Sequence, residues 1–170
     1  MKKTLVSLTM ILVLLAAASA AYASPAEGRN FAVPLSGGEE VPERDTNARG
    51  LAKFQLSREG GELSYKLIVA NIENVAAAHI HCAPAGVNGP VGVTLFVGSP
   101  GSGRFDGVLA EGTITTPDNG NGCGWMSLDD VLNAMRSGSA YVNVHTNDGV
   151  APPNTGPGDF PGGEIRGQIQ

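Results

Sequence analysis

The sequence predicts an all-β domain of about eight antiparallel strands, arranged as a sandwich or a barrel. Two observations carry this. Twenty-four glycines and eleven prolines punctuate the chain, and the runs between them, roughly ten residues apart, are short and β-prone, several of them alternating in polarity. One stretch near 127–137 has helical spacing instead.

The first 23 residues read as a signal peptide ahead of a single domain at 24–170. Lys2 and Lys3 form a basic start, and an apolar run from Leu5 to Ala18 follows. Ala21-Tyr22-Ala23 then gives the small-x-small pattern of a cleavage site, with cleavage expected before Ser24. The run is short for a membrane span, and no later run approaches spanning length. The expected location is secreted or extracytoplasmic, with no membrane association after cleavage.

The strands are expected at 30–35, 50–57, 62–70, 76–82, 91–97, 107–115, 140–146 and 163–169. Ala52, Phe54 and Leu56 share one face of the second strand, and Leu63, Tyr65 and Leu67 share one face of the third. Ser57 to Gly61 forms the hairpin turn between them. In the helix, Ser127 is the N-cap and Asp130 the capping-box partner. Leu128, Val131, Leu132 and Met135 make the apolar stripe, and Gly138 is the stop. The helix is expected to lie across an open end of the sheet, with Trp125 packed against that end. The segment from Asp148 to Pro161 is too rich in glycine and proline for regular structure. Loops of that length inside a compact domain are often functional.

Without Lys2 and Lys3 the chain carries nine basic and sixteen acidic residues, and the basic ones are scattered. Nucleic acid and anionic membranes are therefore poor partners. Asp118-Asn119-Gly120-Asn121-Gly122 lacks the spacing of a calcium loop and reads as a turn. In an exported protein Cys82 and Cys123 read first as a disulfide; two buried thiols or metal ligation are the alternatives.

All three histidines lie in expected strands. His79 and His81 share one face of their strand, opposite Ile80. His145 shares a face with Tyr141 and Asn143, opposite Val142 and Val144. In the last strand Ile165 and Ile169 point one way while Glu164, Arg166 and Gln168 point the other. If the aliphatic residues face the core, the polar ones form an outward patch. Three imidazoles there suit one copper or zinc ion, with a fourth position open to water, Asp148, Asp159 or a substrate. The competing reading is a structural hydrogen-bond network among the same groups.

His79-Ile80-His81, the segment Ala85-Gly86-Val87-Asn88-Gly89-Pro90-Val91, Tyr141 to Thr146, Gly162 to Ile169 and the opening Leu35 to Pro42 together resemble the CHRD (chordin) domain family over about 31–170. The resemblance implies an immunoglobulin-like Greek-key β-sandwich in secreted or surface proteins, with no established catalysis. Cys82 stands where that family commonly has glycine, which favours a lineage-specific disulfide to Cys123. The 148–160 loop is longer than in the shortest members. A weaker resemblance, to copper/zinc superoxide dismutase, rests on the H-x-H pair and on Arg166, but three histidines are too few for its two metals. Three functions are thus in play. The first is an exported, non-enzymatic module with a mononuclear metal site. The second is an adhesion module for an unidentified extracellular protein or surface component, with an exposed apolar patch near Phe160. The third is a small copper-dependent redox enzyme.

Overall fold

The computed structural model describes residues 29–170; the segment read as a signal peptide lies outside the described residues. Eight strands form: β1 (Asn30–Ser36), β2 (Arg49–Leu56), β3 (Leu63–Glu73), β4 (Val75–Cys82), β5 (Val91–Val97), β6 (Arg104–Ile114), β7 (Ala140–Thr146) and β8 (Ile165–Ile169). An α-helix, α1 (Leu128–Arg136), connects β6 to β7. Among the described residues no helix is long and apolar enough to cross a membrane.

All eight strands belong to one antiparallel sheet in the order β5-β4-β7-β8-β1-β2-β3-β6. The sheet curls until its two edges approach, giving a nearly closed, barrel-like body. The Tyr65 hydroxyl on β3 donates across the gap to the Leu95 carbonyl on β5 at 2.8 Å. The immunoglobulin-like division into two stacked sheets is not seen. The physical reason is β8, which pairs with β7 on one side and meets β1 at Ser36–Arg166 on the other, so the ladder is unbroken.

The core is the set that alternation anticipates. Val33, Leu35, Phe54, Leu67, Ile80, Val142, Val144, Ile165 and Ile169 are all buried on the inner side. Two strands run longer than expected. β3 reaches Glu73 and β6 begins at Arg104, with Asn71 and Asn74 taking positive φ at the irregular end of β3. Asparagine tolerates that region better than most side chains, which hides the extension from a propensity reading.

α1 is capped as its residues require. The Ser127 side chain accepts from the Asp130 amide, and the Asp130 carboxylate accepts from the Ser127 amide. Leu128, Val131, Leu132 and Met135 are buried against the sheet. Trp125 is half-buried and covers Gly92 on β5, where any side chain would collide with the indole.

Cys82 and Cys123 form the disulfide, tying the end of β4 to the segment that precedes α1. The bridge joins positions 41 residues apart. Replacing both cysteines with serine is expected to lower unfolding free energy by about 2–4 kcal/mol, chiefly by releasing the unfolded chain. Urea unfolding of the double variant measures this; a midpoint equal to the parent's would refute it.

Candidate metal centre

β4 and β7 pair antiparallel with His79 opposite Asn143, His81 opposite Tyr141 and Ala77 opposite His145. The three rings meet on the sheet face away from the core. Ring centroids stand 5.6 Å apart for His79 and His81, 5.0 Å for His79 and His145, and 5.5 Å for His81 and His145. One nitrogen from each ring lies within 4.8 Å of the others.

Two of the rings are held by backbone carbonyls. His81 Nδ1 is 3.0 Å from the Gly89 oxygen, and His145 Nδ1 is 2.9 Å from the Pro161 oxygen. A carbonyl can only accept, so both Nδ1 atoms carry the hydrogen. Both Nε2 atoms are then bare, and they face each other at 3.4 Å. Two lone pairs in that arrangement repel unless a cation or proton comes between them. Protons are disfavoured there, since burial pushes both His81 and His145 down to about 4 against the pull of their carbonyl partners. His79 is also lowered by burial, and its Nδ1 is buried without a hydrogen-bond partner.

The support behind the rings is extensive. Tyr141 stacks on His81 with centroids 4.9 Å apart and planes 10° off parallel, and the Arg166 guanidinium lies 3.5 Å from the Tyr141 ring centre. The Tyr141 hydroxyl accepts from the Gly89 amide at 3.1 Å. Arg166 donates to Asn88 Oδ1 and the Pro84 carbonyl, and Gln168 donates to the Ala83 carbonyl. These bonds fix the 83–90 loop, and with it the carbonyl that orients His81. Gly89 itself allows no substituent, because a Cβ there would run into the Cys82 carbonyl.

The polar face differs from expectation in its exposure. Tyr141, Asn143 and Arg166 share the predicted side, yet they and Glu164 are each at most 2% exposed. The segments after β1, β4 and β7 fold back over them, drawn by hydrogen bonds that alternation along a strand does not reveal. Glu164 does not face the imidazoles. It accepts from Thr46 Oγ1 at 2.6 Å, Thr146 Oγ1 at 2.7 Å and the Gly158 amide at 2.9 Å. Asn143 lies beneath the cluster with its amide against Gly163.

Neither loop carboxylate considered as a fourth ligand joins the group of donor atoms at the histidines, and Asp159 Oδ1 is buried without a hydrogen-bond partner. Asp159 accepts from the Thr155 amide and hydroxyl, and Asp148 accepts from the Val150 amide. Phe160 is buried under the Arg44 guanidinium, so it is not the exposed aromatic residue expected on this loop, where Val150 is the exposed apolar side chain. Sequence reasoning also missed Glu40, which is 5% exposed with Oε1 unpartnered and is raised by burial to about 7. It sits in a loop, where no periodicity signals which side chain turns inward.

A nearly closed antiparallel β-domain carrying three convergent imidazoles on its outer sheet face is the class that fold and site define. The CHRD domain family profile matches residues 31–169, and the chain belongs to that family. No curated protein and no solved structure matches it.

Proposed function

We propose that this protein is an exported, non-enzymatic module that holds one transition-metal ion on His79, His81 and His145, with zinc(II) as the first choice and copper as the second. The observation that carries the reading is the pair of bare Nε2 atoms facing each other at 3.4 Å, each ring pinned through its other nitrogen to a carbonyl. Metal-bound histidines are commonly held in this manner, the ring's other N–H donating to a carbonyl or carboxylate that fixes tautomer and orientation. The spacing also suits a tetrahedral ion. Nitrogens bound at ~2.05 Å stand ~3.3 Å apart on a tetrahedron and ~2.9 Å apart at neighbouring corners of a square plane. His79 supplies the third nitrogen, within 4.8 Å of the other two, and must draw closer to complete the set.

Export is supported by the basic, apolar and small-x-small run of the first 23 residues and by the disulfide, a bond that persists in oxidising compartments.

Calorimetric titration of the purified protein with zinc tests the proposal. One site tighter than micromolar is expected, weakened at least a hundredfold in His81→Ala. The absence of any site tighter than micromolar overturns it. Gly89→Ala provides a second check, because it must displace the loop carbonyl that orients His81 while leaving all three ligands in place. Zinc affinity is expected to fall about 10–100-fold, the usual cost of losing the hydrogen bond that orients a ligating histidine.

A further inference from the structure

Three protein nitrogens leave a tetrahedral ion one position for an outside ligand. His79 and His145 are half-buried rather than sealed. β5 borders β4 at the edge of the sheet, and there Thr94 pairs directly with His79. Val93 and Leu95 on either side of it are buried in the core, so Thr94 lies on the histidine face. Side chains opposite one another in an antiparallel pair have Cβ atoms about 4.5–5.5 Å apart.

The Thr94 hydroxyl has its hydrogen committed. It donates to Asp118 Oδ2 at 2.6 Å, and a carboxylate offers nothing in return. The Thr94 oxygen therefore has lone pairs only to offer any other neighbour. Asp118 is well anchored in this role. Its amide donates to the Gly92 carbonyl at 3.0 Å, and its carbonyl accepts from the Asn121 side chain at 2.9 Å. Asn121 in turn accepts from the amides of Cys123 and Trp125, next to the disulfide. The Asp118 charge is felt at His79, yet its oxygens lie outside the group of donor atoms within 4.8 Å of one another. It stands behind the site and is not a ligand in it.

We propose that Thr94, backed by Asp118, selects the ligand at the open coordination position, favouring small oxygen ligands that bring a hydrogen, such as water, hydroxide or an alcohol, over bare anions. A ligand with a hydrogen can donate it to the Thr94 oxygen. A bare anion meets only lone pairs there, with a carboxylate charge behind them. The inference rests on the metal-site reading above and assigns Thr94 and Asp118 a role in specificity.

Cobalt(II), a spectroscopic stand-in for zinc, separates the two. The protein is loaded with cobalt(II) and titrated with azide, an anion with no hydrogen, while the visible spectrum is followed. Thr94→Val and Asp118→Ala are expected to bind azide at least tenfold more tightly than the parent. Thr94→Ser should behave as the parent, and cobalt affinity should stay within threefold throughout. If cobalt binds but Thr94→Val leaves azide affinity within twofold of the parent, the role of Thr94 is overturned and the metal site stands. If cobalt does not bind with the three histidines intact, both readings fall.

Discussion

Glu164→Ala is expected to lower unfolding free energy by about 3–5 kcal/mol, because it strands several buried partners at once. Glu164 is fully buried, and its two oxygens satisfy the hydroxyls of Thr46 and Thr146 and the amide of Gly158. Thr146 in turn accepts from the Phe160 amide, so the network reaches the loop that ends at Pro161. For a domain of this size the loss corresponds to a fall in Tm of roughly 10–15 °C. Glu164→Gln keeps one acceptor oxygen and should lose about half as much. The loop is tied to His145 through the Pro161 carbonyl, so zinc affinity should fall along with stability. Urea and thermal unfolding of the two variants measure the effect, and a loss below about 1 kcal/mol in Glu164→Ala would show that the threonines find other partners.

The second large effect is a dependence of metal-free stability on pH. His81 and His145 have folded values near 4 against an ordinary 6.5. Between those limits the unfolded chain takes up protons that the native state refuses, so stability is full above pH 6.5 and is lost as the pH falls toward 4. Each ring accounts for a loss of the order of 3 kcal/mol before screening by solvent. Glu40 acts in the opposite sense. Its value is raised from 4.5 to about 7, so the native state keeps a proton that the unfolded chain releases, and its contribution weakens as the pH rises from 4.5 to 7. Two rings outweigh one carboxyl. With a chelator present, stability should peak near neutrality and fall on acidification. Glu40→Gln should steepen that fall, since it removes the opposing term. Urea midpoints from pH 4 to 7.5 give the comparison, and a midpoint that holds constant or rises with acid contradicts the assignment.

Much of this was legible in the sequence because alternation along a strand is a local rule. It located the core residues of β2, β3, β4 and β7, and it put His79, His81 and His145 on one side of their strands. The helix was equally legible, since a capping box and a terminal glycine mark its ends. What alternation cannot give is whatever lies above a face. Arg166 and Tyr141 were assigned the correct side but not their burial, which depends on Asn88, Pro84 and Gly89 folding back over them. Glu40 and Thr46 were invisible for the same reason: Thr46 meets Glu164 from 118 residues away. Thr94 was within reach, because its flanking Val93 and Leu95 announce its side, but its meaning required knowing that β5 borders β4.

The place of β8 in the sheet bears on how the chain reaches its native state. β8 comes last in the chain, yet it lies in the middle of the ladder, between β7 and β1. Before it arrives, β5-β4-β7 and β1-β2-β3-β6 are two separate ribbons, each with an open edge. Pairings between residues so distant in sequence are slow to form, and an unpaired edge is where chains join wrongly in the interval. Synthesis from the first residue onward therefore cannot complete the domain piece by piece. Until Ile165–Ile169 are present, the ladder between β7 and β1 cannot be complete.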